Sequence, residues 1–215
     1  MINKEKFSEQ IYRILKEQII NNEIPPGSKI NVEEVQNQYQ ISKTPLKEAL
    51  NKLQFEGLVT VKPRSGTYVS KPSKEEIIQV YDLRQAIEWK AIQLAIPHIP
   101  EKNIIDLKNK VISAEKQIFE GNYQPFFATD IEIHKIIFDY SKNRYIQRVK
   151  DTIDSHIHWF RILGATGQQR PYKSSIRHRE ILDAMHNYDI SLAADLIKTH
   201  IEEVKVAVIE DITSD

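Results

Sequence analysis

The sequence predicts a protein dominated by α-helix, with an N-terminal winged helix-turn-helix in residues 1–72 and a C-terminal antiparallel helical bundle in residues 73–215. Two observations support this fold class. The first region has three segments of helical periodicity followed by two short strand-like runs, whereas the second region has only helical periodicity. The charge also divides at this boundary: the first region has 11 basic and 8 acidic residues, a net charge of +3, and the second has 19 and 22, a net charge of −3.

The composition limits the chemistry open to the 215-residue chain. Because it has no cysteine, it has neither disulfides nor thiolate metal ligands, and a metal site would have to use histidine and carboxylate side chains. Charged residues interrupt the first twenty positions, which argues against a secretory signal. The longest uncharged stretch, residues 91–100, is too short to cross a bilayer. We therefore expect a cytoplasmic protein without a membrane partner.

The three helices of the first region have recognisable ends. The spacing of apolar residues predicts a helix from Lys4 to Asn22, and Asn31 is a suitable N-cap for a short second helix. Ser42 is placed to cap a third helix, with Pro45 in its first turn. The apolar stripe of this third helix comprises Leu46, Ala49, Leu50 and Leu53.

Residues 58–62 and 67–70 follow the third helix and predict a two-stranded hairpin, or wing. With its apolar stripe turned inward, the third helix shows short or cationic side chains on its outer face, as a helix in the DNA major groove requires. The turn of the wing offers a cation and an open backbone for phosphate or minor-groove contact. The predicted DNA-contacting residues are Lys43, Thr44, Lys47, Asn51, Arg64, Ser65 and Gly66. Any one lysine could equally belong to a solvated surface, but the combination of features indicates DNA binding.

Three motifs of this region resemble a known family. They are ISKTPLKEAL at residues 41–50, EGLV at 56–59 and SGTYV at 65–69, and they are similar to the DNA-binding domain of GntR-family transcription regulators. The resemblance implies binding to operator DNA. Where the family has two arginines this chain has Lys43 and Lys47, and lysine keeps the charge but lacks the planar fork that pairs with guanine.

The second region is predicted to be helical throughout. Proline, glycine and asparagine positions divide it into amphipathic segments, and no alternating strand pattern interrupts them. The six predicted helices span about residues 74–96, 101–120, 123–141, 143–163, 173–187 and 190–212. A bundle of this length can enclose a core with an internal cavity.

Four side chains of the bundle could form a metal site. Asp130 and His134 are four residues apart, so they share a helix face. His178 and His200 lie at similar distances, about 16 Å, on either side of the turn between the last two helices, so they should lie side by side. Three imidazoles and a carboxylate suit Zn²⁺, Ni²⁺ or a similar ion. The spacing leaves open a second interpretation, in which these are hydrogen-bonded core histidines and a helix ion pair. His156 is the candidate neighbour of the cavity.

The order of these residues is similar to that of a known ligand-binding domain. Asp130, His134, His178 and His200, with Asn143 between them, resemble the FCD domain of the FadR subgroup, and the six helices resemble its VanR-like branch. The resemblance implies that these four residues bind a metal ion that holds a carboxylate of an effector. It also places Arg84 and Glu88 where the domain has an arginine and a glutamate. The predicted effector-binding residues are Arg84, Asn143 and His156. Arg84 could instead form an internal ion pair with Glu88.

The combined prediction is a DNA-binding transcription regulator and not an enzyme. We expect a homodimeric repressor that binds a palindromic operator and responds to a small organic acid. The first helix of the bundle is apolar on more than one face, which suggests that part of it forms the dimer interface. The alternative is a metal-dependent hydrolase or lyase with a DNA-binding-like appendage, because a histidine-rich site could activate water. The ligand segments offer no clear general base for that chemistry. A protein-interaction module is a third option, which a buried polar cluster disfavours.

Overall fold

A computed structural model describes residues 6–164 and 169–213 of the chain. The chain divides into two compact units. The first contains the residues up to Ser73 together with His158–Leu163, and the second contains Lys74–Ile157 and the described residues from Gly164 onwards. No helix within the described ranges has the length and apolar character needed to cross a membrane.

The first unit begins with three helices, α1 (Phe7–Ile20), α2 (Val32–Tyr39) and α3 (Lys43–Phe55). The predicted cap of α2 is confirmed, because the side chain of Asn31 accepts a hydrogen bond from the backbone N–H of Glu34 at 3.3 Å. Ser42 occupies the N-cap position of α3, but its side chain makes no capping hydrogen bond. Residues 4 and 5, with which the first helix was predicted to begin, lie outside the described residues.

A three-stranded antiparallel sheet completes this unit. Its strands are β1 (Lys29–Ile30), β2 (Val59–Lys62) and β3 (Gly66–Val69), in the order β1-β3-β2. The sequence predicts only the β2–β3 hairpin, because a strand of two residues has no periodicity to detect. Pairing with β3 nevertheless brings β1 to the wing.

Helices α1 and α3 pack against each other through apolar side chains. The buried side chains of the two helices are Ile11, Tyr12, Leu15, Ile19, Leu46, Ala49, Leu50 and Leu53. The inward stripe predicted for α3 is therefore confirmed. Its opposite face is left for solvent or a partner.

The second unit is an all-helical bundle, as predicted. Its helices are α4 (Lys74–Ala95), α5 (Glu101–Phe119), α6 (Gln124–Tyr140), α7 (Arg144–Leu163), α8 (Gln169–His186) and α9 (Ile190–Thr213), with a short 3₁₀ helix at Ile96–His98. The last six residues of α7 belong to the first unit. Helix α8 begins at Gln169, earlier than the predicted residue 173, because Pro171 lies in the first turn, where its missing N–H breaks no helical hydrogen bond.

The packing of the bundle brings four helices around one point. Helix α4 packs against α9 and α6, α8 packs against α9 and α6, and α5 packs against α8 and α6. The apolar core between them is fully buried and includes Ile77, Ile92, Ile133, Ile137, Ile181, Leu182, Met185, Ile197 and Ile201. Polar side chains that project into this core from α4, α6, α8 and α9 must therefore find partners in one another.

Candidate metal centre and nucleic-acid interface

The four predicted metal ligands lie together in the core of the bundle. Asp130 and His134 project from α6, His178 from α8 and His200 from α9, and all four side chains are buried. One ligand atom of each lies within 4.8 Å of the ligand atoms of the other three. His178 and His200 therefore lie side by side across the α8–α9 turn, as the sequence predicts.

Four distances between these atoms are close to those found around a metal ion. The Nε2 atom of His200 lies 3.3 Å from the Nε2 atoms of both His134 and His178. The Asp130 Oδ1 atom is 3.3 Å from His178 Nε2 and 3.7 Å from His134 Nε2. Two ligand atoms that are each about 2.1 Å from an ion, at tetrahedral or octahedral angles, are separated by about 3.0–3.4 Å. Three of these four distances fall within that range, so the three nitrogens and one oxygen could bind one ion after a modest rearrangement.

A fifth buried residue, Glu88 of α4, is hydrogen-bonded to one of the four clustered residues. One oxygen of its carboxylate is hydrogen-bonded to the Nδ1 atom of His134, and the other accepts a hydrogen bond from Arg84 Nε at 2.7 Å. Burial alone would raise the pKa of Glu88, but His134 and Arg84 outweigh it and lower the pKa to about 2. Glu88 is therefore ionised and can only accept, so Nδ1 of His134 carries the proton and Nε2 presents a lone pair.

The lowered pKa values of His134 and His200 suit a metal ion. Burial lowers the pKa of His134, with Glu88 opposing it. Burial also lowers the pKa of His200 well below its usual value, and the neighbouring His178 and His134 lower it further. Neutral imidazoles beside a carboxylate are the forms that bind metal ions. These nitrogen and oxygen donors therefore fit a divalent first-row ion. Its positive charge would stabilise the lone pairs of the donor atoms, which point toward one another.

The predicted effector-binding residues have defined contacts. Arg84 is buried in its ion pair with Glu88, which is the alternative that the sequence left open. The side-chain oxygen of Asn143 accepts backbone hydrogen bonds from residues 145 and 146, at 3.0 and 3.2 Å, and so caps α7. The Nε2 atom of His156 lies 3.6 Å from a carboxylate oxygen of Glu76 on α4. Arg84 is thus connected through Glu88 to His134, whereas Asn143 contacts the start of α7 and His156 contacts Glu76.

A groove between α8 and α9 extends as far as His200, one of the four clustered residues. It has a volume of about 1250 Å³, and His200 contributes to its wall. Acidic side chains outnumber basic ones along it: the basic residues are Arg170, Lys173, Arg177 and Lys198, and the acidic residues are Glu180, Asp195, Glu202, Glu203, Glu210 and Asp211. Arg84, Asn143 and His156 are not among the described residues that line this groove.

The predicted DNA-contacting residues of α3 lie on its open face. Lys43, Thr44, Lys47 and Asn51 are all exposed. Lys52 of the same helix has different surroundings: its Nζ atom lies 2.8 Å from a carboxylate oxygen of Glu9 and 3.7 Å from the ring centre of Tyr12. Helix α3 therefore presents a polar face with Lys43 and Lys47 toward solvent, while Lys52 contributes to the packing of α1 and α3.

The wing tip is basic and tightly turned. Arg64 and Ser65 are exposed, and Arg64 adopts a positive φ of 62°, an uncommon conformation for a residue with a side chain. Gly66 also has a positive φ, of 131°. A Cβ atom at Gly66 would lie 2.9 Å from Lys29 Cε and 3.6 Å from Lys29 Nζ. The Lys29 side chain therefore lies at the wing tip, a position that the sequence pattern does not reveal.

Comparisons with known proteins identify both units. The profile of the FCD domain matches residues 79–203, and the profile of the bacterial regulatory proteins of the gntR family matches residues 7–69. The chain belongs to the GntR family and carries an FCD domain. The match to the FCD domain includes all four clustered ligands and Glu88, and the match to the gntR family includes α3 and the wing.

Relatives of this GntR-family chain match over most of their length. It is 26% identical over 192 residues to the HTH-type transcriptional regulator YdhC of Bacillus subtilis, covering 89% of this chain and 86% of the relative. It is also 26% identical over 205 residues to the HTH-type transcriptional repressor RspR of Escherichia coli, covering 94% and 88%. A solved GntR regulator from Rhodococcus sp. RHA1 has the same fold, with a TM-score of 0.75 at 17% identity and coverage of 94% and 96%.

The comparisons also decide between the two classes of function that the sequence left open. The two families and the matched relatives are transcriptional regulators and not enzymes. This GntR-family chain is therefore a transcriptional regulator, and the hydrolase or lyase alternative is set aside. The buried cluster in its FCD domain needs an explanation in terms of regulation.

Proposed function

We propose that this protein is a homodimeric repressor whose affinity for a palindromic operator changes when a small carboxylate metabolite binds at a metal ion. The metal ligands are Asp130, His134, His178 and His200. The observation that carries the proposal is the convergence of these four buried ligand atoms within 4.8 Å inside the FCD domain of a GntR-family chain. The relative RspR, which is named a repressor, supports the direction of regulation.

The DNA-binding part of the proposal rests on α3 and the wing. Each protomer would place the exposed face of α3 in a major groove, where Lys43, Thr44, Lys47 and Asn51 contact phosphates and base edges. Arg64, Ser65 and Gly66 of the wing would contact the neighbouring backbone. Two such domains related by two-fold symmetry match a palindromic operator. Because the operator lies on the chromosome, the protein would act in the cytoplasm.

The dimer interface of the proposal includes the outer side of α4. This helix packs against α6 and α9, yet Leu83 and Trp89 remain 38% and 42% exposed. Large apolar side chains outside the core of a helix that already has a buried face are suited to a second copy of the chain.

The effector part of the proposal uses the metal centre. Zn²⁺ or Ni²⁺ bound there would act as a Lewis acid that attracts a carboxylate oxygen. Arg84, whose Nε atom already bonds Glu88, would add a cationic field, and Asn143 and His156 are proposed as further contacts.

A thermal-unfolding screen against small carboxylic acids tests this proposal. We expect at least one acid, at about 100 times its Kd, to raise the Tm of zinc-loaded protein by about 5–10 °C, which corresponds to about 2.7 kcal/mol. The same acid should produce no shift in protein that was stripped with a chelator and dialysed. An equal shift with and without metal would show that the acid binds elsewhere.

The position of Lys29 at the wing tip predicts that this residue contributes to DNA binding. Because this side chain lies beside Gly66 at the wing tip, we expect Lys29→Ala to weaken binding to any duplex DNA several-fold and to lower the salt slope by about 0.9 for each phosphate that is no longer neutralised. Fluorescence anisotropy with a labelled duplex at several salt concentrations measures both quantities. Lys116→Ala, which removes the same charge from an exposed position of α5, is the matched control. Equal salt slopes for the two variants would remove Lys29 from the interface.

A further inference from the structure

A buried chain of hydrogen bonds connects α4 with the candidate metal centre. Arg84 Nε donates to one carboxylate oxygen of Glu88 at 2.7 Å, and the other oxygen of Glu88 is hydrogen-bonded to His134 Nδ1. Arg84, Glu88 and His134 are 3%, 1% and 6% exposed. Each oxygen of Glu88 thus has its own partner, and bulk water does not compete for either.

This arrangement leaves one orientation and one tautomer for His134. A carboxylate has no hydrogen to donate, so the hydrogen of the bond must reside on Nδ1. The lone pair of His134 is then on Nε2, the atom that lies 3.3 Å from His200 Nε2 and 3.7 Å from Asp130 Oδ1. The ring therefore presents its metal-binding atom to the other ligands.

We infer that Glu88 is a positioning residue that holds His134 ready to bind the metal ion, and that Arg84 in turn fixes Glu88. The inference rests on the proposed metal site. It adds Glu88, which is not one of the four proposed ligands. Carboxylates that accept a hydrogen bond from the second nitrogen of a ligating histidine fix its tautomer and raise its basicity. Because Glu88 and Arg84 belong to α4, this helix becomes part of the metal centre although it supplies none of the four clustered ligands.

Glutamine has nearly the same size and shape as glutamate. Replacing Glu88 by glutamine therefore changes the charge and the hydrogen bonding of the side chain but keeps its packing. In Glu88→Gln, Arg84 still requires an acceptor, so the amide oxygen turns toward Arg84 and the amide NH₂ toward His134. That NH₂ can only donate, so Nδ1 of His134 must accept and the proton moves to Nε2. The hydrogen on Nε2 then occupies the direction in which the ion would bind.

Competition with a chromophoric chelator for Zn²⁺ measures the consequence. We expect Glu88→Gln to bind Zn²⁺ about 10–100-fold more weakly than the wild type. Glu88→Asp keeps the carboxylate and should recover most of the affinity. The matched control is Glu180→Gln on α8, an exposed glutamate that pairs with Arg177, and its affinity should equal that of the wild type.

Nitrogen NMR of histidine-labelled, metal-free protein gives a second readout that a loss of packing alone would not change. We expect the Nδ1–H tautomer of His134 in the wild type and in Glu88→Asp, and the Nε2–H tautomer in Glu88→Gln. Unchanged zinc affinity with an unchanged tautomer in Glu88→Gln would overturn the inference and leave the metal site standing. Failure of the wild type to bind Zn²⁺ would overturn both. If Glu88→Gln does not fold, an Nε2–H tautomer in the wild type alone would overturn the inference.

Discussion

His200→Ala is expected to abolish the stabilisation that a metal ion gives to the C-terminal domain. His200 Nε2 lies 3.3 Å from the Nε2 atoms of both His134 and His178, so it is central to the ligand set. Removing a direct ligand should lower the affinity at least as much as removing a supporting residue, about 100-fold. At a zinc concentration about 100 times the wild-type Kd, the wild-type Tm should rise by about 5–10 °C and that of the variant by about 1 °C or less.

The metal-free His200→Ala variant should keep its helical content, as measured by circular dichroism. Burial beside two other imidazoles lowers the pKa of His200. In the absence of an ion, the Nδ1 atom of this buried side chain has no hydrogen-bond partner, so its removal breaks no hydrogen bond of Nδ1 that stabilises the fold. His98→Ala, at an exposed histidine of the 3₁₀ helix, is the matched control and should retain the full zinc response. A zinc response of wild-type size in His200→Ala would remove this residue from the ligand set.

The double variant Lys47→Ala, Arg64→Ala is expected to lose most of its DNA binding. Lys47 lies on the exposed face of α3 and Arg64 at the exposed wing tip. Neutralising phosphates with these cations releases counterions, so their removal should weaken binding about 10–100-fold at moderate salt. The slope of log affinity against log salt concentration should fall by about 0.9 for each phosphate that is no longer neutralised. Anisotropy titrations across a salt series measure both effects.

Lys52→Ala is the informative control for this double variant. It removes a lysine from the same helix, but one whose ammonium contacts Glu9 and the ring of Tyr12. We expect its salt slope to match that of the wild type, with a small decrease in domain stability. If Lys52→Ala lowers the slope as much as the double variant does, the effect reflects net charge and not the predicted DNA-binding residues.

The helices, and the neighbourhood of the candidate ligands within α6 and across the α8–α9 turn, were predictable because their signals are local. Apolar spacing and breaks at proline or glycine are read within a few residues, and the predicted all-helical bundle is confirmed. Asp130 and His134 share a face by their spacing of four, and the short turn before α9 places His178 and His200 at matching heights. The start of α8 differs from the predicted residue 173, because Pro171 lies within the first helical turn and does not precede the helix.

Other features depend on interactions between distant parts of the chain. Strand β1 has two residues, so Lys29 reaches the wing only through pairing with β3, about forty positions later in the sequence. The spacing of Arg84 and Glu88 predicts an ion pair, but the bond from Glu88 to His134 crosses from α4 to α6. No periodicity in the sequence indicates this contact between two helices, so the hydrogen bond between Glu88 and His134 could be found only in the structure.

Calorimetric titration of chelator-stripped wild-type protein with Zn²⁺ tests the central claim most directly. The buried ligand set predicts saturation at one ion per chain, with a binding free energy of about 10 kcal/mol or more, in the range of structural zinc sites. The same titration of His200→Ala should show an affinity lower by about 100-fold or more. Absence of saturable binding in the wild type, or an unchanged isotherm in His200→Ala, would contradict the account of a metal-dependent regulator.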